Sequence, residues 1–349
     1  MPTPTHSTLH PGSRAAHPAF TVSRPNIARV YDYWLGGKDN FAADRDEADR
    51  LLQAYPSLPA KVRENRLFLA RAVNWMAERG IRQFVDIGSG LPTAQNTHQV
   101  AQAVDPSCRV AYVDYDPIVV AHARALLGAD GVTAAEGDLG DPAAILGDSG
   151  VGQVIRLGEP VGLILGMVLH FFDAQAVGEI MTTIVRSIAP GSYVVISVGS
   201  GDERTAARLA REYTAETLYN HPPTQIARFF DGLELVAPGL ADAGDWDPLG
   251  SACPPAETGG HILVGVGRKS LKLRPDDQCP GGSPSAFRSA ALARCSALES
   301  VLIVACQVLA VGPVSAASAR TSSTTFSSAA TSVVMASPVA PEAPATSNW

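Results

Sequence analysis

Two glycines one residue apart, Gly88 and Gly90, close the run Phe84-Val85-Asp86-Ile87-Gly88-Ser89-Gly90-Leu91-Pro92-Thr93. Strand-compatible residues, a tight glycine turn and a proline suited to the first turn of a helix predict a buried strand breaking under a helix N-terminus. Such a turn is a cradle for a nucleotide-like ligand. A dinucleotide fingerprint would place a third glycine three residues after the second, where this chain has Thr93. That fingerprint also asks for no carboxylate at Asp86, two residues before the first glycine. An acid there suits a ligand with a cationic amine, such as the methionine half of S-adenosylmethionine, better than it suits a pyrophosphate.

Two further segments repeat the pattern. Arg109–Asp114 reads as a second buried strand ending in an acid, with Asp114 lying 24 residues beyond Gly90. A carboxylate in that place can accept from both hydroxyls of a ribose, and Tyr115 beside it could cover an adenine or simply pack. Val132-Thr133-Ala134-Ala135-Glu136-Gly137-Asp138-Leu139 is a third short strand stopping at an acid, and Asp138 could accept from an exocyclic amine. Any one of these aspartates is also what a turn or a helix cap selects. Three in a row at strand ends would line the edge of a parallel sheet where such sheets bind ligands. His170, after the fourth strand, reads either as a general base for an oxygen or nitrogen nucleophile or as a residue that only shapes the pocket.

The elements that must position these residues follow from periodicity. Leu69, Ala72, Val73 and Met76 recur at helical spacing before a stop at Gly80. Strands are predicted near 83–87, 109–114, 132–135, 161–169 and 192–198, with helices between, which implies βαβ units and a parallel sheet. Leu233–Ala237 and His261–Arg268 are expected to close it as an antiparallel pair. The predicted organisation is a disordered arm over 1–22, an N-terminal helical cap over 23–80, an α/β core over 81–269 and a low-complexity tail over 270–349. In that tail 21 of the last 30 residues are Ala, Ser, Thr or Pro, too few apolar groups to offset the entropy of ordering. Its apolar stretch 301–312 is shorter than the ~20 residues of a membrane span.

Composition narrows the function. At 349 residues and 46% hydrophobic content the chain can bury a real core, and a net charge of −7 argues against nucleic acid as a partner. Five cysteines without a CxxC spacing predict neither a zinc site nor a disulfide framework, and no metal site is expected. The first twenty residues lack the apolar run of a signal peptide, so the expected location is cytoplasmic, away from membranes.

From Arg24 to Arg268 the chain resembles an S-adenosylmethionine-dependent methyltransferase family long catalogued as a domain of unknown function in filamentous soil bacteria. The block Ala28-Arg29-Val30-Tyr31-Asp32-Tyr33-Trp34-Leu35-Gly36-Gly37-Lys38-Asp39-Asn40-Phe41 is its most specific part. The segments 64–73, 86–93, 112–117 and 230–239 also match. The resemblance implies a Rossmann-like class I methyltransferase fold: a seven-stranded, mostly parallel sheet with an antiparallel last strand, and N-terminal helices over the cofactor. S-adenosyl-L-methionine would then be held by Asp86, Gly88, Ser89, Gly90, Asp114, Tyr115, Asp138 and Leu139, the glycine turn offering exposed backbone N–H groups. Lys38 and Arg66, in family blocks, read as contacts to a carboxylate on cofactor or substrate, or equally as solvated or salt-bridged cations. The expected acceptor is a small molecule. Two other readings stay open at this point: a non-catalytic S-adenosylmethionine-binding module, and an NAD-dependent oxidoreductase that Asp86 and Thr93 disfavour.

Overall fold

The computed structural model describes residues 22–93, 95–126, 128–201, 203–249 and 261–270. The expectations for most of the N-terminal arm and for the tail after Ser270 therefore lie outside the described residues. Three helices come first: α1 (Ile27–Trp34), α2 (Ala42–Ala54) and α3 (Leu58–Glu78). The alternating part follows as β1 (Gln83–Ile87), α4 (Thr97–Val104), β2 (Arg109–Asp114), α5 (Pro117–Leu126), β3 (Val132–Glu136), α6 (Pro142–Gly147), α7 (Ser149–Val154), β4 (Gly162–Gly166), α8 (Ala174–Ser187) and β5 (Tyr193–Ser200). The chain then runs through α9 (Glu203–Glu212), α10 (Pro223–Arg228), β6 (Glu234–Leu235), β7 (Ala241–Asp242) and β8 (His261–Arg268).

Local chemistry sets many of these boundaries. Asn26 caps α1, its Oδ1 accepting from the N–H groups of Ala28 at 2.9 Å and Arg29 at 3.3 Å. Proline at its start and Gly80 at φ 89° past its end delimit α3. Asp141 and Asp173 cap α6 and α8 by accepting from Ala144 and Ala176.

The sheet runs β3-β2-β1-β4-β5-β8-β6. The first five strands are mutually parallel, and β8 lies antiparallel to β5 along its full length, from Tyr193 opposite Arg268 to Ser200 opposite His261. Because β5 occupies one side of β8, the two-residue strands β6 and β7 share the other. Together they form one interrupted edge strand, so eight short pieces fill seven positions. The expected strand 233–237 is thus only two residues long there, broken before Gly239 at φ 91°.

Period-two alternation divides the interior. Val85, Ile87, Ala111, Val113, Leu163 and Leu165 face a core closed by α6, α7 and α8, whereas Phe84, Val110, Tyr112 and Ile164 face α3. The second core is sealed by Trp246, fully buried edge-on to Phe68 and Trp75. Among the described residues no helix is long and apolar enough to cross a membrane.

Candidate functional site

The strand order reverses between β1 and β4, both of which leave the sheet in the same direction, and a cleft opens at that point. It encloses about 1030 Å³ including open solvent. All eight residues assigned to the cofactor from sequence line it: Asp86, Gly88, Ser89, Gly90, Asp114, Tyr115, Asp138 and Leu139. Five aspartates (Asp32, Asp86, Asp114, Asp116 and Asp138) and one guanidinium, Arg66, are the charged groups of its described lining.

The acids are fixed by hydrogen bonds. Asp86 accepts from the Thr97 hydroxyl at 2.6 Å. Burial pushes its carboxyl above the usual range, while Thr97 and the nearby Arg66 act the other way. Asp114 accepts from Gly90 N–H at 2.9 Å and from Asp116 N–H at 3.0 Å. Burial outweighs those two bonds and lifts its pKa to about 6. Asp138 accepts from Gly140 N–H at 2.8 Å, bending the chain after β3. Asp32 is buried and raised in pKa by desolvation, and it gathers the Gly37–Asn40 loop by accepting from Asp39 N–H and Asn40 Nδ2. A Cβ at Gly37 would stand 1.9 Å from Asp32 Oδ1, so a side chain there would displace the Asp32 carboxylate.

Helix α1 roofs this cleft. Asn26, besides capping the helix, donates from Nδ2 to Asp116 Oδ2 at 2.7 Å, tying the roof to the end of β2. The buried pair Arg29–Asp44, at 2.7 Å, ties α1 to α2, and Asp44 also accepts from the N–H groups of Asn26 and Phe41. The lining residues Asn26, Ile27, Asn65 and Asp116 were not singled out from sequence. Asn26 carried the one signal that could have found it, an N-cap residue before a family block.

Several sequence expectations need correction. The glycine turn does not present free N–H groups: Gly88 N–H donates to Val113 O at 2.7 Å, Ser89 N–H to the same oxygen at 3.3 Å, and Gly90 N–H to Asp114. The turn is cross-linked to β2, so its glycines provide room rather than donors. Gly88, at φ 69°, has Val168 where a Cβ would go, and Gly90, at φ 65°, has open space. No helix starts at Pro92. Helix α4 begins at Thr97, behind Asn96, whose N–H donates to Gln99 Oε1 at 2.9 Å. Lys38 is exposed and off the cleft, whereas Arg66 is half-buried in its wall.

The fourth strand also ends earlier than expected, at Gly166. Met167 follows at φ 57°, its N–H held by Ser197 O and Oγ at 3.0 Å each, and a short 3₁₀ turn covers Leu169–Phe171. This turn carries His170 past the cleft and into the wall of a second chamber. The 8% exposed His170 ring stacks obliquely on Phe171, and its backbone oxygen accepts from Tyr219 N–H at 2.8 Å. The second chamber encloses about 1170 Å³, again with open solvent, and shares Ile27, Tyr31, Met167 and Phe171 with the first.

Comparison with known proteins identifies the architecture. A structure from Thermobifida fusca YX, described as a candidate methyltransferase, is 39% identical, superposes with a TM-score of 0.66, and matches 71% of this chain and 96% of its own. A DUF574 family protein from Streptomyces avermitilis MA-4680 is 36% identical with the same TM-score, over 71% of this chain and 98% of its own. No curated protein matches. The S-adenosyl methyltransferase family profile matches residues 13–270, and the chain belongs to that family.

Proposed function

We propose that the protein transfers a methyl group from S-adenosylmethionine to a small molecule. The observation that carries this reading is the charge of the first cleft, five carboxylates against one guanidinium. A ligand with a sulfonium and an ammonium finds its counter-charges there, and its single carboxylate finds Arg66. A pyrophosphate would meet repulsion from most of the wall, which speaks against the nicotinamide-dependent alternative. When bound, S-adenosylmethionine supplies an electrophilic methyl: an acceptor lone pair forms the new bond to carbon, the carbon–sulfur pair returns to a neutral thioether, and the acceptor loses a proton.

The chain's own part is to bind, orient and exclude water. Asp86 and Arg66 would hold the amino-acid end, Asp114 the ribose, and Asp138 with Leu139 and Tyr115 the base. Helix α1 covers the cleft from above, with Tyr31 fixed by donating to Val62 O at 3.2 Å and accepting from Asn65 Nδ2 at 3.0 Å. Holding two reactants in line supplies most of the acceleration such a displacement needs. His170 would accept the acceptor's proton, a reading supported by its position in the lining of the chamber that adjoins the cleft. That open second chamber also favours an enzyme over a binding-only module, which needs no room for a second ligand.

Calorimetric titration with S-adenosylmethionine, S-adenosylhomocysteine and NAD tests the assignment. The first two should bind and NAD should not. Incubation with labelled S-adenosylmethionine and a metabolite extract should then transfer label to a small molecule. Binding without transfer would favour the regulatory alternative, and preference for NAD would overturn both.

A further inference from the structure

The second chamber has a different chemistry from the cleft it adjoins. Its described lining contains no Asp, Glu or Arg, and one Lys. That lysine, Lys61, is only 6% exposed and already paired with Glu64 at 3.1 Å. Six aromatic rings stand among aliphatic residues instead: Tyr31 and Trp34 from α1, Tyr55 before α3, Phe171 from the 3₁₀ turn, and Tyr213 and Tyr219 after α9. Burial raises the Tyr31 and Tyr213 hydroxyl pKa values, so both rings stay neutral at ordinary pH. The remaining polar groups are the His170 imidazole and small or neutral groups, among them Ser57, Ser200 and Asn220.

We infer that this chamber is the acceptor site and that it takes an uncharged, flat, mainly apolar molecule, an aromatic ring system bearing one hydroxyl or amine as the nucleophile. The inference rests on the methyltransferase reading of the neighbouring cleft. Adjacency locates the acceptor, because Ile27, Tyr31, Met167 and Phe171 line both cavities and a nucleophile beside them would lie next to the cofactor side. Shape and polarity set the class: rings stack favourably against planar partners, while a charged group would be desolvated without a counter-ion. A bound anion would have to displace Glu64 from Lys61 or hold a proton on His170, which could then take none from the acceptor, and a bound cation finds no carboxylate in the described lining.

Three ring-matched probes test it on the full chain with saturating S-adenosylhomocysteine: 2-naphthol, 2-naphthyl phosphate and 2-naphthylmethylammonium. Calorimetry should show 2-naphthol bound at least tenfold more tightly than either charged probe. Leu209→Glu, a charge placed in the chamber wall from α9, should weaken 2-naphthol at least tenfold and leave S-adenosylhomocysteine affinity unchanged. Ala206→Trp, one helical turn away, should block by bulk with the same signature. A charged probe binding as well as 2-naphthol, or both variants retaining its affinity, would overturn the inference while the methyltransferase reading stood. Failure of S-adenosylhomocysteine itself to bind would overturn both.

Discussion

The two cavities that meet at Tyr31 and Phe171 solve opposite problems with opposite materials. The cleft lies at the strand ends under α1, and its aspartates are held by specific donors: Asp114 and Asp138 by backbone N–H groups, Asp86 by the Thr97 hydroxyl, and Asp32 on α1 by Asp39 N–H and the Asn40 amide. The adjoining chamber is built from α1, the α2–α3 connection and the start of α3, the 3₁₀ turn after β4, Ile262 of β8 and residues between 199 and 220, and its described lining is aromatic and aliphatic. The rigid part thus carries the charges, where preorganised acids need not reorganise around a cationic ligand. The part assembled from more distant segments carries non-directional apolar contacts, which tolerate small shifts.

The strongest test of the division is His170. If it accepts the acceptor's proton, His170→Ala should lower the methylation rate by roughly 10²–10⁴. Cofactor affinity should be nearly unchanged, because the ring lies in the chamber wall and not in the cleft. A fully active His170→Leu enzyme would leave proximity alone to carry the chemistry.

The next effect belongs to the cleft. Asp114→Ala should weaken S-adenosylmethionine by about 100-fold or more, since charge-assisted bonds to two hydroxyls are each worth about 1.5–3 kcal/mol. With cofactor saturating, kcat should survive. An unchanged affinity in a folded variant, read by calorimetry, would remove Asp114 from the ribose site.

A smaller effect follows from the Asp114 pKa of about 6. The ionised carboxylate binds hydroxyl donors better, so cofactor binding lowers its pKa and releases a proton. Affinity should therefore rise with pH below about 6, by up to about tenfold per pH unit, and level off above. In the unliganded protein the same raised pKa gives the opposite sign. Its contribution to stability is fully present below the unfolded value of 3.8 and is lost as pH rises through about 6. Asp114→Asn should flatten the affinity profile, and titrations between pH 5 and 8 would show it.

The smallest effect would blur the two regions. Asn26→Ala removes the α1 cap, worth about 0.5–2 kcal/mol, and also the bond to Asp116. Because α1 roofs both cavities, cofactor and 2-naphthol should each weaken severalfold. Weakening of one alone would show that the roof serves only that cavity.

Much of the cleft was legible in the sequence because its residues lie at the ends of short buried strands. Asp86, Asp114 and Asp138 could be placed from the turn after each hydrophobic run, and Gly88 and Gly90 from their spacing. The fate of the glycine N–H groups was not legible, since their partners, Val113 O and the Asp114 carboxylate, belong to the neighbouring strand. His170 illustrates the same limit. A run reading as one strand to Leu169 in fact ends at Gly166, where Ser197 of β5 captures the Met167 N–H and turns the chain.

By itself the sequence determined the βα alternation, the acids at the strand ends and the helical spacing that packs α3 on the sheet, because each depends on patterns a few residues long. Only the tertiary structure decided that α1 closes the cleft through Asn26 and Asp116, 90 residues apart. It likewise decided that aromatic residues as distant as Tyr31 and Tyr219 share one chamber. Such contacts are set by how helices and strands pack across the whole domain, and no local pattern of residue types encodes which distant side chains will meet.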